Sequence, residues 1–344
     1  MSARHDLVLD WLLEKQDPGV RHFALRDLLG APLDDKDLLA ARRATVRRSP
    51  VRDILEAQDR EGYWVKPGTG YSPKYTSTAW QVIFLGQLGA DGEDARVRRG
   101  ADYVLDHSRT TLGGFTAMGG FSGAPKPAGM VHCLQGNLGA SLLELGFGND
   151  PRLKEALDWL ARSITGDGLE AATNKDAERR YYRSGNSAPG FCCSANNHKP
   201  CAWGAIPALD ALSRVPSRAR TTPMRRAIDA GVNFLLRYDP ARANYPMGYG
   251  TKPNGSWFKF GYPMGYVTDA LRNAEVLVAL GKGRDPLLRN LADLILSKRA
   301  PEGRWLLEYS YEGKTWFDLG PKRAPSKWVT LRALRALRGM GVTV

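Results

Sequence analysis

The chain is short of cysteine, with Cys133, Cys192, Cys193 and Cys201 the only four in 344 residues. So few thiols, gathered so closely, exclude a disulfide framework for a chain of this length, and reduced thiols with a chemical task are expected instead. Long apolar runs are missing too. No stretch approaches the ~18 uncharged apolar residues that a membrane span requires, so no integral membrane segment is expected. The amino terminus lacks the apolar core of a signal peptide and passes straight into an amphipathic segment bearing Asp6, Asp10, Glu14 and Lys15, which points to a cytoplasmic protein.

Several catalytic signatures are absent. Gly313-Lys314-Thr315 lacks the preceding glycine of a phosphate loop, and the sequence contains neither His-Glu-x-x-His nor Gly-x-Ser-x-Gly. A basic tail or groove-binding motif is lacking as well. The 49 basic residues outnumber the 36 acidic ones, giving +13, but they are scattered (Arg42, Arg43, Arg47 and Arg48; Arg96, Arg98 and Arg99; Arg332, Arg335 and Arg338). They read as solvated helix faces, so no nucleic acid is expected as a partner, while the balance suits a small anionic substrate.

What is present is repetition. Leu88-Gly89, Leu145-Gly146 and Leu280-Gly281 each read as a helix end followed by a short turn and an Asp cap, at Asp94, Asp150 and Asp285. Pro151 and Pro286 occupy the first position of the helix that follows. Each stop is preceded by a helix apolar nearly all round, whereas the Asp-capped helices carry a charged stripe. Six alternating pairs follow. The exposed members lie at about 4–15, 50–58, 94–107, 151–164, 220–237 and 285–298, and the buried members at about 20–30, 75–88, 130–146, 200–213, 264–281 and 326–339. Six helical hairpins closed on themselves predict an all-α (α/α)6 toroid, an inner ring within an outer ring, as a single domain over 1–344 with long rim loops at about 165–198 and 239–263.

After several outer helices comes a Gly-aromatic element: Gln58-x-x-x-Gly62-x-Trp64, Gly113-Gly114-Phe115, Gly166-Asp167-Gly168 and Gly303-Arg304-Trp305. This element resembles the repeat of the squalene-cyclase and protein prenyltransferase toroid superfamily. The resemblance implies the toroid fold. Trp64 and Trp305 themselves are expected to pack. The acidic signatures of terpene cyclases, Asp-x-Asp-Asp and Asp-Asp-x-x-Asp, are missing, and Asp34-Asp35-Lys36-Asp37 reads as a polar connection with a capping role. Squalene-type cyclisation is therefore not expected.

All four cysteines lie in two stretches, Met130–Asn137 and Gly190–Gly204, with His132 and His198. Cys133 and Cys201 each begin an inner helix of neighbouring hairpins, and the loop with Cys193 and His198 leads into the second. Thiolates and imidazole gathered on one rim suit zinc, and the expected ligands are Cys133, Cys193, Cys201 and His198. Adjacent residues point apart, so Cys192 is left out. The segment Cys193 to Gly204 resembles a pattern of bacterial toroid proteins and of lanthionine synthetase-like cyclases, which hold zinc through two Cys and a His. Tyr75, Trp80, Asn137, Trp203, Tyr266 and Trp328 are expected to line a substrate cavity. His198 and Asp269 are candidate proton-transfer groups, and Arg179, Arg180, Tyr181, Tyr182 and Arg183 are candidates for meeting an anionic group. The expectation is a zinc-dependent hydrolase or transferase acting on a small, partly apolar, anionic substrate. The alternatives are a toroid that binds isoprenoid or lipid without chemistry, and a protein with structural zinc only.

Overall fold

The computed structural model describes residues 3–119, 124–168, 170–171, 180–181 and 188–343. In chain order its α-helices are α1 (Ala3–Leu12), α2 (Pro18–Phe23, continued by a π turn over Ala24–Leu28), α3 (Lys36–Ala44), α4 (Val51–Glu56), α5 (Thr78–Gln87), α6 (Ala95–His107), α7 (His132–Glu144), α8 (Pro151–Thr165), α9 (Ala202–Arg214), α10 (Thr222–Leu236), α11 (Ala270–Ala279), α12 (Leu288–Ser297) and α13 (Lys327–Met340). Two short ribbons complete the described structure. One is parallel, β1 (Glu170–Ala171) with β2 (Arg180–Tyr181); the other is antiparallel, β3 (Cys192–Cys193) with β4 (Lys199–Pro200). Among the described residues no helix is long and apolar enough to cross a membrane.

The caps fall where the local chemistry puts them. The Asp94 and Asp150 side chains accept from the N–H groups of Arg96 and Arg152 at 2.9 and 2.8 Å, closing the first turns of α6 and α8. Asp35 accepts from Leu38 at 2.8 Å, and so opens a helix, α3, within what reads as a polar connection. The Asp285 cap is displaced: α12 begins at Leu288, and Asp285 accepts from the Leu287 N–H at 3.0 Å in the turn before it.

The helices form two concentric rings. Within the inner ring α5 packs on α7, α7 on α9, α9 on α11, α11 on α13 and α13 on α2. The ring closes where α2 meets the end of α5: a Cβ on Gly19 would stand 2.4 Å from the Leu88 carbonyl oxygen. The tightest approach is between α7 and α9, where a Cβ on Gly136 would lie 2.1 Å from the Pro207 carbonyl carbon. The outer helices α1, α4, α6, α8, α10 and α12 lie against this ring, and one continuous apolar core runs from Val8 to Met340.

The Gly-aromatic elements stitch the rings together. Trp64 and Trp305 are fully buried, and each indole N–H donates to a carbonyl of the preceding outer helix, Ile54 and Ile295, at 2.7 Å. Their backbone N–H groups donate to hydroxyls at the start of the next inner helix, Thr78 at 3.0 Å and Thr330 at 2.9 Å. Phe115 repeats the second link through Gln135 Oε1 at 2.7 Å. The packing role expected for both tryptophans is thus observed.

Candidate functional site

Helices α5, α7, α9 and α11 are entered from one rim, and there the thiols gather. Cys133 is the second residue of α7, and Cys201 immediately precedes α9. The β3–β4 ribbon folds the intervening loop back, pairing Cys193 with Lys199. The His198 N–H donates to the Cys193 carbonyl at 2.8 Å, and the Cys201 N–H to the Phe191 carbonyl at 2.9 Å. Asn197 and His198 turn the ribbon in the left-handed region, at φ 52° and 59°, a conformation non-glycine residues hold only where the surroundings impose it.

Asn196 ties this ribbon to the rim segment at 239–263. Its amide donates to the Pro200 and Pro246 carbonyls at 2.9 and 3.1 Å, and its oxygen accepts from Gly248 at 2.8 Å. The other rim segment is described only in part. Arg179, Tyr182 and Arg183 lie outside the described residues, and Arg180 and Tyr181 are placed only as backbone in β2.

The thiols differ in their preferred form. The Cys201 S–H donates to the Cys193 sulfur, and this bond, with the amides of Ala195 and Asn196, outweighs burial and lowers Cys193 to about 6. Cys201, as the donor, is raised well above the usual thiol value. Burial, reinforced by the Cys193 charge, pushes Cys133 up to about 12. Cys192 is raised by burial.

His198 is exposed on the turn. His132 points into the core: its Nε2 lies 3.1 Å from Ser163 Oγ on α8, and burial lowers it to about 4, leaving it neutral. Among the described residues no group of three or more His, Cys, Asp or Glu side chains is arranged to hold a metal ion. Thiols are nevertheless the donor chemistry that suits zinc, and three of the four expected donors lie within electrostatic reach of one another.

Beside the thiols stands an aromatic wall. Tyr75 stacks on Tyr311 at 4.3 Å and lies near-parallel to Tyr266 at 6.4 Å, with Trp80 tilted against it at 4.9 Å. The Trp80 indole donates to the Tyr71 carbonyl at 2.8 Å. The Tyr71 hydroxyl is raised by burial and by Cys133, which fixes this wall beside the thiols. The Lys74 ammonium sits 4.7 Å over the Tyr266 ring, and no carboxylate pairs with it among the described residues. Tyr75, Trp80 and Tyr266 are therefore brought together with Cys133. Trp203 stands apart, against Trp257 of the rim segment at 6.2 Å.

Asn137, Asp269 and Trp328 belong to a different assembly, which the sequence reading missed. Arg272 donates to Asn137 Oδ1 at 2.8 Å and to Asp210 at 3.0 Å; Asp210 also pairs with Arg214 at 2.8 Å, and Arg214 with Glu144 at 2.7 Å. Glu144 pairs with Arg26 at 2.6 Å, Arg26 with Asp27 at 2.7 Å, and Asp27 with Arg335 at 2.8 Å. Arg335 and Arg332 share Glu275 at 2.5 and 2.8 Å, and Arg332 ends the chain on Asp269 at 3.0 Å. The Arg272 N–H closes the circle onto Asp269 Oδ1 at 2.7 Å.

Five arginines and five carboxylates thus alternate around the lumen. Burial favours the neutral acids, yet Arg335 and Arg26 hold Asp27 at about 2, and Arg214 and Arg272 hold Asp210 well below its ordinary value. Arg332 and Arg335 are accordingly part of the lumen wall and not of a solvated face, Arg332 being only 2% exposed. Asp269, expected as a proton-transfer group, is 1% exposed and has both oxygens engaged in capping α11 and pairing Arg332.

The ring surrounds a cavity of about 410 Å³, with Phe23, Tyr262 and Trp328 among its walls. The Trp328 and Tyr262 rings stack there at 4.7 Å and 11°. The walls come from the carboxyl-terminal halves of α5, α7 and α9, the end of those helices remote from the thiols, together with α11, the α2 segment and the first turns of α13.

No family model matches the sequence, and no curated protein matches it. Among solved structures, an unsaturated glucuronyl hydrolase specific for heparin is similar over 97% of this chain and 86% of its own, at 12% identity and a TM-score of 0.50. The fold is an (α/α)6 toroid. The type II terpene cyclase MstE from Scytonema matches over 86% of this chain and 72% of its own, at 14% identity and a TM-score of 0.42. A glycosidase matches over 89% and 99%, at 12% identity and a TM-score of 0.39. At such identities the fold alone is what is shared, and the expectation of a toroid holds.

Proposed function

We propose that this toroid is an enzyme of hydrolase or transferase type, working at the thiol rim on a small, partly apolar, anionic substrate, with zinc held by Cys133, Cys193 and Cys201. The observation that supports this is the convergence of three thiols from separately positioned segments: α7, the approach to α9, and the β3 ribbon. Cysteines that only fill a core need no such meeting, nor a hydrogen bond that favours a thiolate. Zinc binds thiolates with release of their protons, and there it would supply a Lewis acid, softened by the negative charge of three thiolates. Tyr75 and Tyr266 offer apolar faces to the substrate, with Trp80, only 1% exposed, packed behind them, and Lys74 offers a cation. In this reading His198, exposed on the turn, serves as a fourth ligand or a proton carrier.

The experiment is metal analysis of the purified protein beside three variants. Cys133→Ser loses zinc while keeping its helix content, and Cys192→Ser keeps both. His198→Ala separates its two roles, since loss of metal marks a ligand and retained metal with lost turnover marks a proton carrier. Markedly substoichiometric zinc in the unaltered protein, or zinc unchanged in Cys133→Ser, refutes the metal assignment. A toroid that only stores an isoprenoid needs an apolar lumen, and the charged ring around the described cavity disfavours that alternative.

A further inference from the structure

The charged ring does not explain itself as a buttress. Buried ion pairs are commonly no more stabilising than apolar residues of the same volume, so stability alone gives little reason to retain five of them around one lumen. Here the ion pairs flank a half-open cavity of about 410 Å³, within the ~300–1,000 Å³ of small-molecule sites. Nor is this space part of the thiol rim. Cys133 and Glu144 sit at opposite ends of α7, eleven residues apart, which is roughly 16 Å along a helix.

The wall chemistry restricts what could enter. Guanidinium donors and carboxylate acceptors alternate, and each is already paired, so the wall is charge-balanced. An anion or a cation entering would leave one charge uncompensated in a half-buried site. A hydroxyl faces no such penalty, since it donates to a carboxylate and accepts from a guanidinium at once. Phe23, Tyr262 and Trp328 add an apolar side, and α5 contributes only the uncharged Gly86 and Gln87. Several hydroxyls around an apolar face describe one class of ligand.

We infer that the lumen cavity at the carboxyl-terminal end of the inner ring binds a neutral polyhydroxylated molecule of mono- to disaccharide size, at a site separate from the thiol rim. The lining supplies a way to test this without disturbing the ion pairs, because Ala279, which is exposed, and Ser213, which is half-buried, line the cavity and neither carries charge. Binding of methyl glucoside and trehalose is measured by ligand-observed saturation-transfer NMR and calorimetry on the full chain, with glucuronate and glucosamine as charged counterparts. Saturable binding of at least one neutral probe is expected, with both charged counterparts at least about tenfold weaker. Ala279→Trp and Ser213→Trp, which fill the cavity from α11 and α9, each abolish it while circular dichroism and the thermal midpoint stay unchanged. Cys133→Ser keeps it, since the two sites are independent. The inference is overturned if neither neutral probe binds, if a charged counterpart binds as tightly, or if either folded cavity-filling variant binds like the unaltered protein.

Discussion

Replacing Asp269 by alanine tests whether this carboxylate is a structural keystone or an available acid. In the folded chain it accepts from the Arg272 N–H at 2.7 Å, from both Arg332 terminal nitrogens at 3.0 and 3.1 Å, and from the Gly261 N–H at 3.2 Å. Removing an N-cap costs about 1 kcal/mol, and removing one partner of a buried ion pair costs about 3–5 kcal/mol. Arg332 keeps Glu275 at 2.8 Å and still donates to the Gly261 carbonyl, so the lower part of that range applies. The sum is about 4 kcal/mol for Asp269→Ala. Asp269→Asn keeps the cap and the volume but loses the charge and turns an NH2 toward the Gly261 and Arg332 donors, so about 3 kcal/mol is expected. Urea unfolding followed by circular dichroism reads these differences at constant slope. With an unfolding entropy of about 2.1 cal/mol/K per residue, the 344 residues give roughly 0.7 kcal/mol/K, and the alanine variant melts about 6 °C lower. A loss below about 1 kcal/mol for the alanine variant would refute the structural reading. It would free the carboxylate for proton transfer.

The remaining predictions concern other joints of the same structure. Asp27, whose acidity Arg335 and Arg26 hold at about 2 against the opposing effect of burial, contributes about 2 kcal/mol of stability. Because its folded value is depressed, that contribution is full above the ordinary carboxylate range and disappears as pH falls through about 2. The stability gap between the unaltered protein and Asp27→Asn should therefore close over that window in acid titrations, and a gap independent of pH contradicts the assignment. Trp64→Phe and Trp305→Phe should each lower stability by about 2 kcal/mol, because both remove the same indole hydrogen bond and leave the outer-helix carbonyl with only a 3.3 Å backbone donor; differential unfolding of the two variants checks the equivalence. In zinc-free protein Cys193 should be the thiol alkylated first by iodoacetamide, with half-maximal rate near pH 6, and Cys201→Ala should move that midpoint upward. Mass-spectrometric mapping identifies the labelled cysteine, and preferential labelling of Cys133 contradicts the ordering of the thiols.

The features legible in the sequence were those with local causes. Asp94 and Asp150 cap by chemistry within a few residues, and the six-fold alternation of apolar and striped helices fixes which ring each helix joins. The meeting of Cys133, Cys193 and Cys201 follows from topology, because neighbouring inner helices begin on one rim. The charged ring was illegible because its bonds are remote in sequence: Arg26 and Glu144 are 118 residues apart, and Arg335 and Asp27 308. Asp210 and Arg214, four residues apart, imitate an ordinary surface pair. One signal was available. Asp210 and Arg214 are the only charges of α9, and Arg272 and Glu275 the only charges of α11. A charge on a helix otherwise apolar on every face has only the lumen to point into. The short α3 was hidden differently, since its acidic opening reads as a solvated turn before the Leu38 and Ala41 stripe is seen to bury against Leu25.

The common direction of the inner helices accounts for why the two ends differ. The amino termini of α5, α7, α9 and α11 lie toward the thiol rim, where unpaired N–H groups give a partial positive charge that favours thiolate and an anionic substrate. Their carboxyl termini face the other way with partial negative charge, and arginine is the side chain that compensates it there. Arg214 closes α9, while Arg26 and Arg214 neutralise Glu144 at the end of α7, where a carboxylate alone would be repelled. The arginines are then balanced by Asp27, Asp210 and Glu275, so the field of the helix ends is cancelled at the ring and left uncancelled at the rim. An anion entering the lumen is therefore drawn toward the thiols and gains nothing at the opposite end, where only an uncharged, hydrogen-bonding molecule meets a wall that suits it.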